Sequence, residues 1–452
     1  MPIRLVGLLI VIPVLSAVAL LRPQIGIYSY VWFALMRPDA LAWSIGRFPL
    51  SFALAVCTLA GALRHLGRIR VLFHNPFTRL LLLLQIPIAL SVVFYVGERY
   101  LAADRYEEYL RTIVMVLLIP VLIRTEAELR WLLLVVAWSM GLLGMKFGFY
   151  GIWEGGVHIA RAYSPQHDNN TLGLAAAMTV PLCWCLRALV SSRWARIAMQ
   201  AMVLGCVSTL IMTNSRGATL SAVAAFLCLV RRSRRKFWTL VLLVVFAAWP
   251  IYLVKDQYLD RLATLPRFEE EGSAASRIYY ARAAFKMWMD YPILGVGFGG
   301  RNYSAMTAPY LGWTTRHGAH NSYLQMLVDS GIFALLLYGG LLFGSIRWLG
   351  RSAGKMRELR PDLECIPIAL QTALITFAVG ATFGSSQRYD FSYILLMCAS
   401  AWHTVQRGLE EELRFPQPAA TAEGIVPSPD RPAAPALGGF DTATAQLSRV
   451  GR

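Results

Sequence analysis

The chain has 452 residues, of which 56% are apolar and only 15% charged. Soluble domains carry about a quarter charged residues, so this composition points away from a soluble globular enzyme, a disordered protein, a secreted disulfide scaffold or a β-barrel. The net charge is +17, but the basic excess sits in short loops between apolar runs. Topology signals and anionic headgroups account for that distribution better than nucleic acid does.

A membrane crossing needs about 20 apolar residues. About twelve segments qualify, near residues 4–21, 47–66, 77–97, 107–123, 128–150, 169–190, 195–213, 215–231, 236–254, 322–349, 364–384 and 389–407. The first lacks a small-residue cleavage site and reads as an uncleaved span. A further apolar stretch, 26–44, contains Arg37, Pro38 and Asp39, and reads as re-entrant or interfacial. The seven cysteines (Cys57, Cys183, Cys185, Cys206, Cys228, Cys365 and Cys398) all fall in apolar runs without zinc-like spacing, and read as small core residues.

With the N-terminus cytoplasmic, the strongly basic short loops share one side. They hold Arg64, Arg68 and Arg70, then Arg187, Arg193 and Arg196, then Arg231 to Lys236, then Arg347 to Arg360. This predicts an all-α integral membrane protein with a polytopic domain over 1–415, one large outer loop at 255–321 and a Pro- and Ala-rich disordered cytoplasmic tail at 416–452.

The polar residues of interest gather on the outer side. Ser276 to Trp288 reads as a helix with Ile278, Ala281, Phe285 and Trp288 on one stripe, lying either at the membrane surface or packed on the bundle. Gly295-Val296-Gly297-Phe298-Gly299-Gly300 lacks the strand–turn–helix context of a nucleotide loop and reads as a turn allowing close backbone approach. His317-Gly318-Ala319-His320 lies at the mouth of the next span. A neutral imidazole there either takes a proton from a substrate or bonds locally. No carboxylate or cysteine cluster completes a metal site. Arg161 precedes Gln166-His167-Asp168-Asn169-Asn170, Arg216 follows a tight turn at Asn214-Ser215, and Arg388 precedes Tyr389-Asp390. Each is either a snorkelling flank residue or part of an anion site, since guanidinium groups bind phosphate in a forked geometry and stay charged.

At Ser215-Arg216-Gly217-Ala218, Arg277, Leu294-Gly295-Val296-Gly297 and His320-Asn321-Ser322-Tyr323-Leu324-Gln325 the sequence resembles the O-antigen ligase family, over roughly residues 160–405. The first part resembles, more weakly, the N-terminal region of ligases encoded with exosortase systems. Asp168 departs from the family pattern, because relatives often carry Asp-Pro-Asn at that turn. The resemblance implies a GT-C-like, metal-independent, inverting membrane glycosyltransferase in the bacterial inner membrane. Both termini would be cytoplasmic and the active site periplasmic. The donor would be a glycan on undecaprenyl pyrophosphate and the acceptor a sugar hydroxyl of lipid A–core. No cofactor is implied, and the partners beyond these substrates are membrane lipids. It further implies His320 as base, Arg216 and Arg277 on the pyrophosphate, Arg161 and Arg388 as further candidates there, and supporting roles for Asn321, Gln325, Asp390 and Asp168.

The nearest rivals are a polymerase or a protein O-oligosaccharyltransferase of the same superfamily, which differ in acceptor. A lipid-glycan transporter belongs to another class. Transporters often show internal repeats and midplane charges, whereas here the polar residues sit at one face. A non-catalytic assembly subunit would leave the His and Arg positions unexplained.

Overall fold

The computed structural model describes residues 3–41, 50–153, 168–233, 235–253 and 272–414. Arg161, residues 164–167, residues 254–271 and the expected tail at 416–452 lie outside the described residues. The described chain is helical, with no strand among the described residues.

In chain order the helices are α1 (Ile3–Leu21), α2 (Pro23–Met36), α3 (Pro38–Leu41), α4 (Leu50–Ala62), α5 (Val71–His74) and α6 (Pro76–Val93). Then come α7 (Arg99–Leu122), α8 (Glu126–Trp153), α9 (Asn169–Leu186), α10 (Arg193–Met212), α11 (Arg216–Arg232) and α12 (Lys236–Leu253). The last are α13 (Gly272–Asp290), α14 (Arg301–Ala305), α15 (Ala308–Leu311), α16 (Ser322–Leu359), α17 (Cys365–Gly380) and α18 (Asp390–Arg414). Each expected apolar segment coincides with a helix. Among the described residues, six helices are long and apolar enough to cross a membrane: Leu50–Arg68, Pro76–Val93, Glu126–Trp153, Asn169–Leu189, Arg193–Met212 and Ser322–Leu359. Val6–Leu21 and Cys365–Gly380 are shorter apolar helices.

The described part of the stretch 26–44 contains no full-length crossing helix. The α2 helix has 14 residues, about 21 Å at the α-helical rise, against a hydrocarbon core of about 30 Å. It stops at Arg37, which takes left-handed φ at 47°. Pro38 then opens α3, and proline disfavours the α-region for the residue before it.

Local sequence sets the helix starts. Asn75 caps α6 through Phe77 N–H, with Pro76 next to it. Asp168, Ser192 and Ser215 cap α9, α10 and α11 in the same way. Each cap satisfies a backbone donor left free in the first turn and stabilises by about 1 kcal/mol. Packing follows small residues: α8 and α10 meet where Gly144 and Gly148 lie against Cys206 and the Gly205 carbonyl. Thr209 donates to the Gly144 carbonyl at 2.5 Å, tying the two helices where they cross. The α9 helix is buried continuously from Leu172 to Trp184, ringed by α8, α10, α11 and α17. A helix apolar all round belongs inside a bundle.

This connectivity gathers the starts of α9, α11, α16 and α18 and the ends of α10 and α17 at one end of the bundle. The arginines at the start of α10, the end of α11 and the end of α16 lie at the other.

Candidate functional site

The α16 helix opens the site. Asn321 caps it, its Oδ1 accepting from Tyr323 N–H and Leu324 N–H, both at 3.0 Å. The residue before it, His320, has φ 51°, a left-handed conformation that costs a non-glycine residue energy. A built frame holds it there. His320 N–H donates to Ser385 Oγ at 3.0 Å, Ala319 N–H donates to Gln325 Oε1 at 2.7 Å, and Ser385 Oγ donates to the same oxygen at 3.3 Å. Gln325 Nε2 in turn donates to buried Asp329 at 2.8 Å. Ser322 joins the frame to the last outer turn by donating to the Gly384 carbonyl at 2.6 Å and accepting from Ser386 N–H at 2.7 Å.

The Asp329 carboxylate also accepts from Gly299 N–H at 3.2 Å and Gln387 Nε2 at 3.4 Å. Two residues on, α16 breaks at Gly331 (φ 79°, ψ −175°). The break frees the carbonyls of Val328 and Asp329, which accept from Val296 N–H at 2.9 Å and Gly297 N–H at 3.1 Å. Close backbone approach is thus what the glycine loop provides. A Cβ at Gly295 or Gly331 would overlap backbone carbonyl oxygens.

His320, His317, Gly318, Arg316, Asp168 and Ser215 help line a cleft of about 300 Å³. The rings of Tyr280, His317 and His320 form a tilted triangle with centroids 5.8 to 6.0 Å apart. Burial pushes the His320 imidazole down to about 4, helped by the positive charges of Arg277 and His317 and opposed by Asp168. At neutral pH the ring is therefore uncharged and able to accept a proton. Among the described residues no three His, Cys, Asp or Glu side chains cluster as metal ligands.

The other expected residues fall into three groups. Arg277 lies on α13 within electrostatic reach of His320. Arg216, half-buried, is the first residue of α11 beside the cleft-lining Ser215 and Gly217. Asp168 lines the same cleft, but its Oδ2 accepts from Thr171 N–H and Oγ, each at 2.9 Å, which makes it foremost a helix cap. Asn321 and Gln325 act on the backbone around His320. Arg388 and Asp390 line a neighbouring cleft instead of the His320 cleft, with Arg388 Nη1 3.6 Å from Glu108 and Asp390 accepting from Thr112 at 3.1 Å.

Sequence reasoning missed Tyr280, Ser385 and Asp329. Tyr280 and Asp329 occupy helices with no local motif, and Ser385 reaches His320 only because α17 and α16 pack side by side. The stripe Ile278, Ala281, Phe285 and Trp288 is not the face α13 buries. Ala283, Ala284 and Met287 face the bundle, while Ile278 and Phe285 are exposed.

A helical bundle with apolar, crossing-length helices and a polar, histidine-bearing cleft at one end has the makings of an integral membrane protein. Residues 201–339 match the family described as O-antigen ligase. The matched span contains Arg216, Arg277, the glycine loop, His320, Asn321 and Gln325. Residues 3–190 match a family of unknown function, DUF5935. No curated protein matches the chain.

Proposed function

We propose that this protein is an O-antigen ligase with a GT-C-like, twelve-crossing layout, acting at the periplasmic face of the bacterial inner membrane. It transfers a glycan from undecaprenyl pyrophosphate to a sugar hydroxyl of lipid A–core, with inversion and without a metal. The observation that carries the reading is His320, fixed in a left-handed loop and kept neutral in a polar cleft beside Arg277. The basic connections at the opposite end of the bundle support a cytoplasmic position for that end.

In the reaction, His320 takes the proton of the acceptor hydroxyl as its oxygen bonds to the donor's anomeric carbon. The bond from that carbon to the pyrophosphate oxygen breaks, and the electron pair leaves with the pyrophosphate. Arg216 and Arg277 hold that anion and stabilise the charge that develops on it. An imidazole at about 4 is a weak base for a hydroxyl. The incoming pyrophosphate offsets Arg277 and raises its basicity only when donor is bound.

The test is transfer by the purified chain from an undecaprenyl-pyrophosphate glycan to rough lipopolysaccharide, with chelator present. A ladder of glycan-bearing lipopolysaccharide supports the ligase. Elongated lipid-linked glycan without a ladder means a polymerase, and glycan on protein alone means an oligosaccharyltransferase. An unconsumed donor overturns the enzymatic reading.

A further inference from the structure

Beside the His320 cleft lies a larger one, about 630 Å³, between α2, α7 and the 385–390 turn. The two clefts share Thr171, Ser385 and Ser386 in their walls. The larger cleft is built mainly from the part of the chain matched by the family of unknown function.

Its lining combines guanidinium groups, carboxylates and aromatic rings. Arg37 lies 3.4 Å from Asp39, Arg105 donates to Glu108 at 2.7 Å, and Arg388 lies 3.6 Å from the same carboxylate. Arg111 pairs with Glu107. The charges are thus largely matched, so the cleft is not a simple anion hole, yet each guanidinium keeps N–H donors to spare. Two polar atoms remain without a hydrogen-bond partner in the protein although buried: Arg105 Nε and the Tyr389 hydroxyl. Tyr30, Phe33 and Tyr109 add flat apolar faces. Arg37 carries a second mark. Among the described residues, three non-glycines have left-handed φ: Arg37, Asn214 and His320. Asn214 and His320 flank the His320 cleft, and Arg37 lines this one, at a helix end where glycine is favoured.

Fixed, matched donors and acceptors between aromatic walls suit a polyhydroxylated ring. Its hydroxyls both give and take hydrogen bonds, and its C–H faces rest on aromatic surfaces. We propose that this cleft is the acceptor subsite, holding the saccharide whose hydroxyl His320 deprotonates. The proposal rests on the ligase reading. It follows from the geometry of inversion: the attacking oxygen approaches opposite the leaving pyrophosphate. With Arg216 and Arg277 on the pyrophosphate, the acceptor comes to His320 from another side, and the larger cleft adjoins the His320 cleft along the wall of Thr171, Ser385 and Ser386 that both share. Arg388 and Asp390 then serve the acceptor.

The test compares wild type, Arg37→Gly, Arg105→Ala and His320→Ala, each as the full chain in detergent. Glycine suits the left-handed position, so Arg37→Gly removes the guanidinium without backbone strain. The probe is deacylated core oligosaccharide from rough lipopolysaccharide. It should bind wild type and His320→Ala alike, and bind Arg37→Gly and Arg105→Ala at least about tenfold more weakly. In turnover, Arg37→Gly should raise the acceptor KM about tenfold, with the donor KM unchanged. A raised donor KM with unchanged acceptor KM assigns the cleft to the donor glycan and overturns the proposal, as does unchanged oligosaccharide binding. Full competition by inorganic phosphate would make it an anion site and also overturn it. Oligosaccharide binding that depends on Arg37, in a protein that transfers nothing, would sink the ligase reading while leaving the saccharide site standing.

Discussion

On the proposed mechanism His320 is a proton acceptor shaped by its surroundings. Its pKa is about 4 against an ordinary 6.5, so the folded chain binds fewer protons than the unfolded one between those values. The contribution to stability is present above pH 6.5 and drains away as pH falls toward 4. On the same proposal this shift also governs turnover. Activity needs the neutral ring, so kcat/KM should keep its acid limb near pH 4, while bound pyrophosphate moves the limb in kcat upward. Coincident limbs would show that donor does not touch the ring's field. His320→Ala should lower transfer by about 10²–10⁴-fold while leaving thermal unfolding in detergent nearly unchanged. A near-wild-type rate would remove His320 from the mechanism. Arg216→Lys keeps the charge and loses the fork. We expect a deep loss of transfer, read in the same assay, and full activity would refute forked phosphate binding.

Among the elements, the broken α16 matters most. Gly331 splits it so that its first turns present Asn321, Gln325 and Asp329 to the site, while the freed carbonyls bind the glycine loop. A side chain at 331 would meet the Ile293 carbonyl and strain a left-handed backbone. Gly331→Ala should therefore destabilise the fold by about 1–3 kcal/mol or more, seen as a lowered Tm in detergent, together with lost transfer. An unchanged Tm would show that the loop does not depend on this break. The glycine run and the His317-Gly318-Ala319-His320 segment were both legible as sequence, because turns and helix mouths have local signatures. Their mutual docking was not, because it depends on backbone groups that only a break in α16 exposes.

At the scale of the molecule, the polar site and the basic connections occupy opposite ends of the bundle. In intact cells a membrane-impermeant thiol reagent should label Trp313→Cys, in the exposed loop before His317, and should not label Trp194→Cys at the start of α10. Both tryptophans are exposed, and the native cysteines are buried or half-buried. The reverse labelling pattern would invert the orientation.

Sequence alone pointed to the helical membrane class, to the positions of the helices and to His320, Arg216 and Arg277 as the candidates that the fold gathers at one end of the bundle. Apolar length, basic loops and short motifs are written locally along the chain. Tertiary structure decided that α2 is too short to cross, that Arg388 and Asp390 leave His320 for a neighbouring cleft, and that Ser385, Tyr280 and Asp329 surround the histidine. It also decided which face of α13 is buried. These outcomes depend on which helices pack together, and contacts between residues far apart in the chain leave no periodic trace in a single sequence.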